Sequence, residues 1–116
     1  MKEMKIKRIY ESPQFDDGYR MLVDRLWPRG LTKQKASIDE WNKNLAPSTE
    51  LRKWFGHKPE NFERFSELYR IELSKKTDDL ERTKSISATQ NLTILYAAKD
   101  KQFNQAIILL NVLKQL

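Results

Sequence analysis

The chain has 116 residues, 39% of them hydrophobic and 33% charged, with a formal net charge of +6. That length suits one domain around a single core and leaves little room for a second. The absence of cysteine excludes disulfides and thiolate chemistry, and with His57 as the one histidine a zinc site would rest on carboxylates almost alone, so neither a metal nor a cofactor is expected.

Apolar runs are only a few residues long, far short of the roughly 20 needed to span a bilayer, and no apolar stretch follows the basic N-terminus. The expectation is a soluble, cytoplasmic protein with no membrane partner. Basic residues are scattered through the first half, at Lys2, Lys5, Lys7, Arg8, Arg20, Arg25, Arg29, Lys33 and Lys35, and form no tail. Such a charge is compatible with nucleic acid, with acidic small molecules, or with a merely solvated surface.

In chain order, residues 4 to 10 predict a first, partly buried strand with Ile6, Ile9 and Tyr10 turned inward. Ser12-Pro13 and Asp16-Asp17-Gly18 are turn residues. The interval they occupy is short for a crossover helix, which leaves an irregular crossover or a hairpin open. Arg20 to Gly30 is the stretch around which the chain is organised. Met21, Leu22 and Val23 form the continuous apolar run of a strand covered on both faces. Asp24 and Arg25 then bring charge to its carboxyl end, Pro28 keeps Trp27 out of helix, and Gly30 allows the chain to leave through positive φ. Arg25, Trp27 and Arg29 are thus predicted on a stiff loop at the carboxyl edge of a sheet, where ligands of open α/β proteins bind.

Leu31 to Ser37 reads as a connector, and Ile38 to Asn42 as a third short strand with Trp41 inward. After Pro47, Ser48 can cap a helix that starts at Thr49, presents Leu51, Trp54 and Phe55 as its buried stripe, and leaves through Gly56. Pro59 opens a second helix to about residue 76, with Phe62, Phe65, Tyr69 and Leu73 along one side. Thr77-Asp78-Asp79 starts a third helix with a weak apolar face. Leu92 to Ala98 returns to the buried-strand pattern, and Lys99-Asp100 repeats the charge that follows the central strand. The last helix, about 102 to 115, carries Ala106, Leu109, Leu110, Leu113 and Leu116 on one side with Ile108 and Val112 on the other. That surplus predicts either deep packing or a homodimer interface. Together these elements predict a single α/β domain over residues 1–116, with a mostly parallel sheet of about four strands flanked by helices.

The chain resembles the domain-of-unknown-function 488 family in its short, YeaO-like form. The resemblance rests on Leu22-Val-Asp-Arg-Leu-Trp-Pro-Arg-Gly30, Trp41 with Leu45-Ala-Pro-Ser48, Trp54-Phe55 before His57, Phe65 with Tyr69 and Glu72-Leu73, Leu92 to Asp100, and Asn104 with Ala106. It covers nearly the whole chain and implies a small α/β fold with no established activity. Longer members carry a Cys-His-Arg signature after the segment matching Leu92 to Asp100. Here that place is taken by the region around Asn104, so chemistry drawn from that cysteine does not carry over.

The candidate site gathers Arg25, Arg29, Lys43 and Lys99 with Trp27, Trp41 and Asn104, and Ser48 at a helix start supplies further donors. Arginine forks fit phosphate or carboxylate, and tryptophan offers a stacking face, so the expected ligand is a phosphorylated or nucleotide-like molecule. Asp24 is the strongest candidate for acid or base chemistry. The structural alternative pairs Arg25 with Asp24 or Glu72, buries both tryptophans, and reduces Ser48 and His57 to helix-boundary residues. Two functional classes remain: a small enzyme or ligand-binding protein with an anion site, and a nucleic-acid module whose footprint adds the lysines of residues 2 to 7 and 33 to 35.

Overall fold

The computed structural model describes residues 2–116. Strands β1 (Met4–Arg8), β2 (Tyr19–Leu22), β3 (Glu40–Trp41) and β4 (Leu92–Tyr96) form one parallel sheet in the order β1-β4-β2-β3. All five residues of β4 are buried because it lies between two strands and is covered on both faces, the setting that its unbroken apolar run requires. Leu22 pairs with Leu95 in register, and neither side chain has any exposure.

The helices are α1 (Lys33–Ala36), α2 (Thr49–Phe55), α3 (Phe62–Leu73), α4 (Thr77–Thr89) and α5 (Gln105–Lys114). The last four share one core with Met21, Val23, Ile94 and Tyr96, and so lie on one face of the sheet. The opposite face is covered thinly, by Ala36 of α1 and the half-buried Trp27, Leu31 and Trp41 over Leu22 and Leu95. None of these helices is long and apolar enough to cross a membrane, a statement that applies to the described residues.

The interval between β1 and β2 is a crossover, and its irregular form has a clear cause. Its single helical turn, Phe15–Asp17, is held down by the buried carboxylate of Asp17, which accepts from the Gln14 backbone N–H at 3.0 Å and pairs with Lys7 at 3.1 Å, Lys5 at 3.3 Å and Arg20. The Thr93 hydroxyl donates to the Asp17 carbonyl at 2.7 Å, tying the crossover to β4. Gly18 closes the turn at φ +64°, where a Cβ would stand 2.2 Å from the Asn91 carbonyl oxygen, so only glycine fits.

Several elements depart from expectation. Trp54 is 48% exposed, because the short α2 meets α3 through Leu51 and Phe55, and position 54 lies round the helix from that seam. Tyr10 is exposed as well, its hydroxyl donating to the Arg29 carbonyl. The connector holds one helical turn, α1, capped by the Thr32 side chain. The third strand shortens to Glu40–Trp41, and the helix expected from Pro59 begins as a 3₁₀ turn that passes into α3 at Phe62. In α5, Ile108 is 2% exposed and Val112 packs on the same core as Leu109 and Leu113, because the helix is wedged between the sheet and helices α3 and α4. Its apolar surplus is therefore consumed within the monomer.

Candidate functional site

Chain direction locates the site. From β4 the chain passes to α5 on the helical face, whereas from β2 it passes through the Trp27 loop and α1 on the opposite face. Adjacent parallel strands whose continuations separate in this way leave a crevice beyond their carboxyl ends. A cavity of about 540 Å³ occupies it. The segment after β2 supplies Asp24 to Arg29, the segment after β4 supplies Ala97 to Asp100, Tyr10 follows β1, and the helical side gives Arg52, Phe55, His57, Phe65 and Gln105.

Asp24 is the joint of the crevice. Its Oδ2 accepts from the Ala97 backbone N–H at 2.9 Å and its Oδ1 from the Gln105 side-chain amide at 2.6 Å, so one carboxyl ties the end of β2 to the end of β4 and the start of α5. The Asp24 carbonyl accepts from the Trp41 indole N–H at 2.7 Å. Burial pushes the carboxyl up to about 6, against the hydrogen bonds from Ala97 and Gln105 and the nearby charges of His57 and Arg52, all of which favour its ionised form. A perturbed carboxyl in a cleft is the kind of group that acid or base chemistry employs.

The loop after Asp24 is fixed by its own polar groups. The Trp27 indole N–H donates to the Leu31 carbonyl at 2.6 Å, and the ring meets Trp41 edge-on with centroids 5.3 Å apart. Gly30 stands at φ +76°, as the turn requires. Arg25 pairs with neither Asp24 nor Glu72. Its Nε donates to the Pro47 carbonyl at 2.8 Å, which fastens the loop to the approach of α2, while Glu72 accepts from the Ser48 backbone N–H at 2.9 Å and from its hydroxyl at 2.6 Å. Arg29 and Lys99 are exposed at the mouth, and among the described residues neither side chain has an ion-pair partner.

Of the residues singled out from sequence, Asp24, Arg25, Trp27, Arg29 and Lys99 surround the cavity, and Lys43, Ser48 and Asn104 do not. Lys43 lies over the Trp41 ring at 4.0 Å from its centroid. Ser48 caps α2 by accepting from the Leu51 N–H, and it faces a smaller hollow that Arg25 separates from the main one. Asn104 is fully buried and caps α5, accepting from the Ile107 N–H at 3.1 Å and donating to the Asp100 carbonyl. Its side chain is committed to the helix terminus.

Arg52, His57 and Gln105 are cavity residues that the sequence did not single out for it. The Nε of Arg52 is buried with no hydrogen-bond partner. His57, read as a boundary residue, is one, but it holds φ +57° immediately after the left-handed Gly56 and so projects onto the rim. A non-glycine residue in that region is costly and is often found at functional sites. The available signal was spacing: Arg52 and Phe55 are three apart on α2, hence on one side of the helix, with His57 just beyond its end.

Fold and crevice define a small, parallel α/β protein with a cationic mouth at the carboxyl edge of its sheet. The chain belongs to the DUF488 family: the family model described as "Inactive DUF488-N3 subclade" matches residues 3–116. It is 44% identical over 110 residues to the uncharacterized protein YeaO of Escherichia coli K12, covering 95% of this chain and 96% of that one. Uncharacterized proteins of Mycobacterium bovis and Mycobacterium tuberculosis are each 46% identical over 70 residues, covering 60% of this chain and 59% of theirs. No solved structure matches the chain.

Proposed function

We propose that this chain is a ligand-binding protein whose carboxyl-edge crevice holds an anionic small molecule, phosphorylated or nucleotide-like. The observation that carries this reading is charge. Four cationic side chains, Arg25, Arg29, Arg52 and Lys99, line one cavity with two carboxylates, and both carboxylates are already engaged: Asp24 by Ala97 and Gln105, and Asp100 by the backbone N–H groups of Gln102 and Phe103. The cations therefore exceed what the protein itself neutralises at this place, and a phosphate or carboxylate supplies the missing charge. The word "inactive" in the family description and the absence of a cysteine fit binding better than turnover. Asp24, bonded through one oxygen to the end of β4 and through the other to the start of α5, then serves as a strut and ligand contact in place of a general base.

Titration calorimetry with inorganic phosphate and nucleoside monophosphates tests the proposal. Arg29→Ala or Lys99→Ala should weaken binding by about 1.5 to 3 kcal/mol, the range for hydrogen bonds to charged groups, while Lys5→Ala, whose partner is Asp17, leaves it unchanged. Arg25→Ala is a poorer probe because it also frees the Pro47 carbonyl. An absence of anion binding in the unaltered protein sinks the reading. Binding of oligonucleotides alone, with a steep loss on adding salt and contributions from Lys5 and Lys33 as well, replaces it with a nucleic-acid module.

A further inference from the structure

The rim and the inner wall of the crevice differ in chemistry. Arg29, Lys99, Tyr10 and His57 at the rim are exposed, whereas Phe55 is 5%, Phe65 1% and Gln105 8% exposed on the inner wall, with Asp24 and Arg52 half-buried between. We propose that this inner wall reads the edge of a guanine ring, with the ring N1–H and the adjacent exocyclic 2-amino group donating to the Asp24 carboxylate and the neighbouring carbonyl oxygen meeting Arg52. The anion at the rim is then the phosphate of a guanine nucleotide. This rests on the anion-site reading of Arg29 and Lys99.

Three observations converge. Each Asp24 oxygen accepts one internal bond, to Ala97 or to Gln105, and a carboxylate has about four lone-pair positions, so two side-by-side acceptors remain for the ligand. Arg52 lines the cavity with no ion-pair partner among the described residues, and its buried Nε has no acceptor, so no internal bond holds the guanidinium away from a ligand carbonyl oxygen. Arg52 and Asp24 line the same cavity without pairing, yet the arginine is close enough for its charge to favour the Asp24 carboxylate. A ligand edge that fits between them offers donors to one and an acceptor to the other.

Ring chemistry narrows the class. Two adjacent donors beside a carbonyl oxygen describe the pairing edge of guanine, whereas adenine presents one donor next to a ring nitrogen and leaves an Asp24 oxygen unused. A free amino acid could also meet a carboxylate and an arginine. It would leave the rim cations without a counter-charge and most of about 540 Å³ empty, a volume within the range for drug-sized ligands. Trp27, Phe55, Phe65 and Pro47 supply the apolar walls that a flat base requires.

Titration calorimetry on the full chain with GMP, AMP, XMP and inorganic phosphate decides the matter. GMP should bind about tenfold or more tightly than AMP, the discrimination of one well-made hydrogen bond. In Asp24→Asn the amide donates where the carboxylate accepted, so GMP should weaken and XMP, which has a 2-carbonyl in place of the 2-amino group, should overtake it. Arg52→Met should lower GMP affinity about tenfold and weaken inorganic phosphate, which Arg29 and Lys99 hold at the rim, by a much smaller factor. Equal binding of GMP and AMP, both still lost in Arg29→Ala, overturns the base-edge assignment while the anion site stands. Binding of neither nucleotides nor phosphate overturns both. The unaltered protein alone gives the GMP to AMP ratio, so the comparison is decisive even if Asp24→Asn fails to fold, and retained GMP preference in a folded Asp24→Asn protein also overturns the assignment.

Discussion

Asp17 and Asp24 flank β2, and their surroundings push their acidities in opposite directions. Burial raises the Asp17 carboxyl, but the Gln14 backbone N–H and the cations of Lys7, Arg20 and Lys5 outweigh it and hold the group at about 2. The native state then binds this proton more weakly than the unfolded chain, so the stability contributed by Asp17 is present above about pH 4 and lost as pH falls toward about 2. Asp17→Asn should cost about 2 to 3 kcal/mol at neutral pH and far less near about pH 2, measured by urea unfolding. For Asp24 the sign reverses. Its native carboxyl is raised to about 6, so the folded protein binds the proton more tightly, and stability should decline as pH rises from about 4 to 6. Asp24→Asn, which cannot ionise, should flatten that decline, and a pH profile unaltered by the substitution would remove the strut from the electrostatic account.

Packing at the scale of elements separates two aromatic residues that look alike in the sequence. Phe65 is 1% exposed and stacks on Phe55 at 4.2 Å and on Tyr69 at 5.8 Å, joining α2 to α3 over the sheet. Phe65→Ala should cost about 3 to 5 kcal/mol, while Trp54→Ala, on the exposed side of α2, should cost under about 1 kcal/mol. Comparable losses in thermal or urea unfolding would show that α2 is packed differently. The caps and stops of α2 were legible because Ser48 and Gly56 act locally, one by accepting from an orphan N–H and the other by taking a left-handed conformation. The fate of Trp54 was not, since residues three and four apart from Leu51 are equally good candidates until the neighbouring helix chooses a seam. The site was legible to the same degree. The Asp24 to Gly30 loop could be placed from strand and turn chemistry within one stretch, whereas Arg52 and Gln105 reach the cavity only because two helices pack on the same face, and Asn104 was misplaced because its local role as a cap of α5 leaves nothing over for the crevice.

For the molecule as a whole, parallel topology accounts for both the position of the crevice and the disposal of apolar surface. Every strand of the sheet runs the same way, so the segments following β1, β2 and β4 gather at one edge, and the divergence of the chain between β2 and β4 opens the cavity there. The same arrangement sends all helical mass after Pro47 to one face, and α5 becomes its inner layer. Sequence periodicity assigns Ile108 to a second face of α5 and leaves a homodimer open, but a helix lying between a sheet and two other helices needs apolar residues on nearly every side. At 2% exposure, Ile108 is part of the core that includes Leu109, Leu113 and Ile94. Ile108→Lys should therefore act as a buried, unpaired charge and unfold the protein or destabilise it by several kcal/mol, with no folded monomer recovered. An interface role predicts a different result: an Ile108→Lys chain with undiminished unfolding cooperativity and about half the sedimenting mass of the unaltered protein. Circular dichroism melts and sedimentation velocity on the two proteins distinguish these outcomes, and a folded, half-mass variant would transfer Ile108 from the core to a contact between copies.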